Sequence, residues 1–128
     1  KLYYEALPAI EEKEESQPTK ESEGDRELED EMAKLLLYLQ QGVVLGDYAE
    51  ALHIPERKLS VFINSTYGVS FKRWVNNKRV EYATEQMAKH PDYTMERIAE
   101  LSGFAHKSHF CKIFREITGG SFTEYKNR

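Results

Sequence analysis

Two stretches of this chain repeat each other at a fixed offset, and that constrains the fold more than any single residue does. Gly68-Val69-Ser70-Phe71, followed by Trp74, returns 51 residues later as Gly119-Gly120-Ser121-Phe122, followed by Tyr125. Upstream, Ala49 and Ile54 return as Ala99 and Phe104 at an offset of 50. Two copies of one structural unit therefore fill most of the chain, and the second holds one extra residue between its helices. Such repetition outranks local signals, because a fold built of repeats is mis-assigned when the period is missed. Two like units in tandem suit a ligand that is itself periodic.

Hydrophobic spacing makes the units helical. Leu28, Met32, Leu35, Leu36 and Leu39 predict a helix over 27–41, ended by Gly42 in a left-handed conformation. A short helix over 45–52 would turn Tyr48, Ala49 and Leu52 inward. Pro55 suits the first turn of the next helix, where its missing N–H is no loss. That helix reaches Thr66, buries Leu59, Phe62 and Ile63, and stops before Gly68. Ser70 is the expected N-cap of a long helix to Lys89, with Phe71, Trp74, Val75, Ala83 and Met87 as its apolar stripe. Thr94 caps another short helix with Ile98, Ala99 and Leu101 inward, and Gly103 makes the turn. A helix over 107–117 buries Phe110, Ile113 and Phe114, and Ser121 caps a last one near Tyr125. No segment alternates with period two, so the expected class is all-α.

Charge divides the chain differently. The net charge of −4 over 128 residues hides an acidic start. Residues 1–31 hold 4 Lys/Arg and 12 Asp/Glu, whereas residues 32–128 hold 14 Lys/Arg and 10 Asp/Glu. A basic body behind an acidic segment is a hint of nucleic-acid binding. Residues 11–27 are rich in Glu, Lys, Ser and Gln. They offer too little apolar area to offset the entropy of ordering, so residues 1–27 read as a partly disordered acidic linker from a longer parent. The domain proper is then 28–128. Its first unit covers 34–69, its connecting helix 70–89 and its second unit 94–126. No apolar run approaches the roughly 18 residues that span a bilayer, so no membrane contact is expected of this stretch. One cysteine, Cys111, precludes an internal disulfide and fits a reducing compartment.

Each unit reads as short helix, tight turn, second helix, with an alanine in the first helix and an apolar residue in the turn. This is the helix-turn-helix layout, in which the second helix enters a major groove and the first braces across the backbone. His106, His109 and Cys111 tempt a metal reading. They supply only three ligands, however, and Cys111 points about 200° from His109 around a helix. No metal site or cofactor is expected. A thiol sensor would rest on Cys111 alone, without a cationic cluster to lower its pKa. No nucleophile with its base, phosphate-cradling glycine loop or carboxylate pair is legible, so no enzyme is expected.

Ile98-Ala99, Ser102-Gly103-Phe104, Ser108, Phe110, Phe114-Arg115 and Thr118-Gly119 with Tyr125 carry a family resemblance. In the first unit Ala49, Leu59-Ser60, Gly68, Ser70-Phe71, Arg79 and Ala83 match as well. Residues 34–126 resemble the DNA-binding domain of the AraC/XylS family of bacterial transcription regulators. Two positions depart from the family pattern: Phe122 stands where proline is usual, and Pro55 where a small polar cap is common.

The resemblance implies two recognition helices in successive major-groove segments of double-stranded DNA, about 34 Å apart, spaced by the helix over 70–89. Carried across by position, the base-facing residues are Arg57, Ser60 and Val61, then Lys107, Ser108, His109, Cys111 and Lys112. Arg57 would pair with guanine O6 and N7, Ser60 with either base, and Val61 with a thymine methyl. Lys107 and Lys112 would reach guanine or phosphate, and Ser108 and His109 base edges. Lys58, Lys72, Arg73, Arg79 and Arg115 would position phosphates. The resemblance also implies cytoplasmic action, a contact with RNA polymerase, and sensing or homodimerisation through a part outside this stretch. That outside part could itself be a membrane-anchored or a receiver-type sensor. The alternative is a helical protein-interaction module that kept the fold and lost its DNA affinity.

Overall fold

The computed structural model describes residues 23–127. Seven α-helices and one 3₁₀ turn occur among them, with no strand. The helices are α1 (Glu23–Lys34), α2 (Leu45–Leu52), α3 (Glu56–Tyr67), α4 (Phe71–Lys89), α5 (Met95–Leu101), α6 (Lys107–Thr118) and α7 (Phe122–Lys126), and the 3₁₀ turn is Leu37–Leu39. The chain divides into two compact units. One comprises residues 23–37 with Val44–Trp74, the other Tyr38–Val43 with residues 75–127.

In the first unit, Tyr48, Ala49 and Leu52 of α2 and Leu59, Phe62 and Ile63 of α3 are all buried. Spacings of three and four put each set on one face of its helix. Met32 of α1 is fully buried with them, and Tyr48 meets the Phe71 and Trp74 rings edge-on at 5.8 and 5.4 Å. Its hydroxyl donates to the Leu35 carbonyl at 3.4 Å.

The second unit closes the same way. Ile98 and Ala99 of α5 and Phe110, Ile113 and Phe114 of α6 join Val80, Ala83 and Met87 of α4 in one core, with Phe104 and Phe122. Phe122 fills it without the proline of the family pattern, because Ser121 and Glu124 form a reciprocal cap. Ser121 Oγ accepts from the Glu124 N–H at 3.1 Å, and Glu124 Oε1 from the Ser121 N–H at 2.9 Å. Thr94 and Ser70 cap α5 and α4 as expected, accepting from the N–H groups of Arg97 and Arg73. At Pro55 the cap is backbone only: the ring fixes φ at −66° and no side chain accepts.

The repeat survives in backbone detail. The N–H of Ile54 donates to the Ala49 carbonyl at 3.1 Å, and that of Phe104 to the Ala99 carbonyl at 3.1 Å. A left-handed residue precedes each donor: His53 at φ 61° and Gly103 at φ 93°. The N-caps that follow are Pro55 and His106, so the extra residue of the second unit is Ala105. Gly68 and Gly119 then end α3 and α6 with equivalent bonds of 2.9 Å.

One expected element differs. The helix expected over 27–41 begins earlier, at Glu23, and ends at Lys34. Residues 23–27 are therefore helical, not linker. Beyond Lys34 the Tyr38 and Gln40 carbonyls turn to accept from the Arg79 guanidinium at 2.6 and 2.9 Å. Gly42 does adopt a left-handed conformation, at φ 75°, but in the turn before α2. Leu36 consequently stays 54% exposed. The rest of the acidic stretch, residues 1–22, lies outside the described residues.

The turn glycine and its histidine counterpart respond oppositely to substitution. A Cβ on Gly103 would lie 2.8 and 2.9 Å from the Tyr38 and Leu39 carbonyl oxygens, in a backbone region that disfavours side chains. Gly103→Ala is expected to lose about 2 kcal/mol or more of stability by urea denaturation. His53→Gly, which relieves a left-handed non-glycine residue, is expected to gain about 0.5–1 kcal/mol in the same measurement.

Candidate nucleic-acid interface

A helix with one buried face presents its opposite face to solvent. On α3 the buried positions 59, 62 and 63 put residues 57, 61 and 64 on the far side, at about 100° per residue. Arg57 and Asn64 are exposed, and Val61 is 61% exposed despite being apolar. On α6 the equivalent positions are Ser108, Lys112 and Arg115, all exposed. Lys58 and His109 flank these rows and are exposed too, the His109 ring meeting Phe104 edge-on at 5.7 Å. Each unit therefore carries an exposed outer row of three along its second helix, opposite a buried core.

Two expected site residues fall elsewhere. Ser60 and Cys111 are equivalent positions, about 100° from the centre of the buried face, and both are half-buried. Cys111 Sγ lies 3.1 Å from Met95 Sδ of α5 and packs against the core. It faces the partner helix of its own unit, which removes it from the base-facing set. Arg79 leaves the phosphate set for a stronger reason. It is 8% exposed, its guanidinium is spent on the Tyr38 and Gln40 carbonyls, and it lies 5.5 Å from the Phe104 ring centre. Of the remaining phosphate candidates, Lys58, Lys72 and Arg115 are exposed and Arg73 is half-buried.

Lys107 opens α6 and is paired. Its Nζ lies 2.9 Å from Glu96 Oε2 of α5. The lysine hydrogen bond holds the Glu96 carboxyl below its ordinary range, and Glu96 holds the Lys107 ammonium above its own. Both groups are exposed, so solvent screens the pair heavily. This contact, and the place of Asn64 in the outer row, were missed by sequence reasoning. Asn64 was legible through the repeat, as the counterpart of Arg115 at the offset of 51. Among the described residues no group of three or more His, Cys, Asp or Glu side chains is placed to hold a metal ion. No helix among them is long and apolar enough to cross a membrane.

A helix-turn-helix domain family profile matches residues 48–128. The chain belongs to the AraC-type helix-turn-helix family. The family is one of DNA-binding transcription regulators, which are not enzymes. Among relatives, the regulatory protein PocR of Salmonella typhimurium is 30% identical over 79% of this chain and 34% of its own length. The chain thus spans about a third of that relative. The C-terminal domain of AraT, a response regulator from Geobacillus stearothermophilus, has a similar structure, with a TM-score of 0.70 and 25% identity. The similarity covers 85% of this chain and 88% of that one. The DNA-binding domain of AdpA, solved in complex with a target DNA, shares the fold with a TM-score of 0.67 and 22% identity. That match covers 78% of this chain and 89% of that domain.

Removing the Arg79 guanidinium separates a structural from a phosphate-binding role. Arg79→Gln is expected to cost roughly 1.5–3 kcal/mol of stability, because two partly buried carbonyls lose charged donors. Arg115→Gln, at an exposed position, is expected to stay within about 0.5 kcal/mol of the parent. Urea midpoints of the two variants check both.

Proposed function

We propose that this chain is the promoter-binding part of a bacterial transcription regulator, with α3 and α6 entering adjacent major-groove segments of one duplex face. The observation that carries this reading is the repeated outer row: Arg57, Val61 and Asn64 on α3, and Ser108, Lys112 and Arg115 on α6. Each row combines exposed side chains with a rigid helix whose other face is sealed in a core. Arg57 suits guanine O6 and N7, Val61 a thymine methyl, Asn64 adenine N6 and N7, and Lys112 guanine. Ser108 within its row, and His109 and Ser60 beside the rows, offer base-edge hydrogen bonds. Lys58, Lys72, Arg73 and Arg115 supply phosphate contacts, which fix register without reading sequence. Lys107 reaches the DNA only when it is shared with, or released from, Glu96. Contact with RNA polymerase, dimerisation through a part outside residues 1–128, and action in the cytoplasm complete the proposal.

Selection from a random-sequence duplex library at two salt concentrations, followed by fluorescence anisotropy, tests it. The expected outcome is an enriched site spanning two major-groove segments, with affinity falling as salt rises. Arg57→Ala and Lys112→Ala should each weaken binding to that site by about 1–3 kcal/mol. Lys72→Ala should instead weaken all duplexes alike and flatten the logarithmic salt slope by about 0.9. Unchanged specific affinity in both base-reading variants would sink these assignments. Absence of any DNA binding at low salt would favour the protein-interaction module.

A further inference from the structure

Three short helices start on the same plan, and one departs from it. In α2 the third residue is Asp47, whose Oδ2 accepts from the Val44 N–H at 2.9 Å. In α7 it is Glu124, whose Oε1 accepts from the Ser121 N–H at 2.9 Å. In α5 it is Arg97, the counterpart of Asp47 at the offset of 50. Thr94 Oγ1 accepts from the Arg97 N–H at 3.1 Å, but a guanidinium has no acceptor with which to return the bond. A cation in the first turn also opposes the helix dipole. An acid would serve this helix better, as it does at the other two starts.

The arginine is held by a stack of side chains instead. Its Cζ lies 5.3 Å from the centre of the Tyr93 ring, and that ring stacks on His90 at 4.2 Å with 7° between the planes. Tyr93 is half-buried against the core of the second unit. Arg97 is exposed and makes no ion pair among the described residues. An aromatic face orients a guanidinium without using its N–H donors, which stay aligned for an acceptor outside the chain. The preceding residue, Glu96, meets Lys107 at the start of α6 over 2.9 Å, so the first turns of α5 and α6 lie together. Arg97 faces away from the side of α5 that buries Ile98, Ala99 and Ser102. In a helix-turn-helix unit the first helix crosses the DNA backbone beside the groove that the second enters. We infer that Arg97, oriented by Tyr93 and His90, grips a phosphodiester at the edge of the groove that α6 occupies. Two phosphate oxygens match the planar fork of an arginine. The first unit, with Asp47 at this place, makes no equivalent contact. The inference rests on the DNA-binding reading and adds a phosphate contact to it.

The test reads anisotropy on a random-sequence duplex and on the site that selection enriches, across a salt series, beside urea midpoints. Arg97→Gln is compared with a charge-matched control, Lys34→Gln at the exposed end of α1. Arg97→Gln is expected to flatten the logarithmic salt slope by about 0.9 and to weaken both duplexes alike, by about eightfold at 0.1 M salt. The control should leave the slope unchanged. Arg97→Glu should bind still more weakly, yet keep or raise the urea midpoint, because it restores the reciprocal cap. Tyr93→Leu should weaken binding about two- to fivefold, the scale of an exposed cation–π contact, whereas Tyr93→Phe keeps the parent affinity. In the Arg97→Gln background Tyr93→Leu should add no further loss, which separates orientation of the arginine from a general effect on the fold. An unchanged slope in Arg97→Gln, an equal effect of the control, or a loss confined to the enriched site would overturn the inference. So would a fall in the urea midpoint of Arg97→Glu, since the arginine would then serve the fold. A parent chain that binds no duplex at low salt overturns the DNA-binding reading itself, and this contact with it. A parent that binds while Arg97→Gln matches it overturns this contact alone.

Discussion

One backbone hydrogen bond per unit governs how the outer rows are presented. The N–H groups of Ile54 and Phe104 reach back to the Ala49 and Ala99 carbonyls, each over 3.1 Å. Each bond closes the end of a first helix and reverses the chain through one left-handed residue. The second helix then leaves at a fixed angle, and only its 59/62/63 or 110/113/114 face can meet the first. Once that face is sealed, the opposite face is outward by geometry alone. Small residues at 49 and 99 let the turn approach closely; Ala49 and Ala99 are 4% and 3% exposed.

In the second unit this turn has a further dependent. Gly103 lies where a Cβ would strike the Tyr38 and Leu39 carbonyl oxygens, and Arg79 Nε is 3.0 Å from the same point. The guanidinium, the 38–40 backbone and the turn therefore occupy one tightly shared space. Burying a cation is costly unless its donors are matched, and two carbonyls with a ring face nearby provide the match. Tyr38 is drawn into the same arrangement: burial first, then the Glu85 and Glu81 charges, push its phenol pKa up. Histidine suffices at position 53 because the first unit asks only for the backbone conformation there.

These dependencies explain what was legible in the chain. Core faces were readable because apolar residues at three- and four-residue spacing are the direct imprint of burial on sequence; Leu59, Phe62 and Ile63 and their counterparts all proved buried. Caps were readable from Ser70, Thr94 and Ser121, whose side chains have one common local use. The end of α1 was not, because the leucines at 35, 36 and 39 keep helical spacing past Lys34, where the helix stops. At the interface, the same periodicity that located the core located its opposite face. The positions carried over from the family resemblance misjudged the flank, where Cys111 turned toward Met95. Ion pairs escaped for a different cause: Glu96 and Lys107 lie on separate helices, and no spacing rule joins them.

The repeat keeps the frame constant and lets the outer chemistry diverge. Val61 stands where the second unit has Lys112, Arg57 where it has Ser108, and Asn64 where it has Arg115. An apolar surface selects a thymine methyl, whereas an ammonium selects guanine acceptors or phosphate. Two copies of one unit related by a two-fold axis read matching half-sites, which is why paired regulators favour palindromes. Two unlike units covalently joined in tandem have no such symmetry to impose. On the DNA-binding reading, the bound sequence must differ between its halves, and that difference gives the chain a direction on the duplex. A direction is what a regulator needs if one particular flank is to face the transcription machinery.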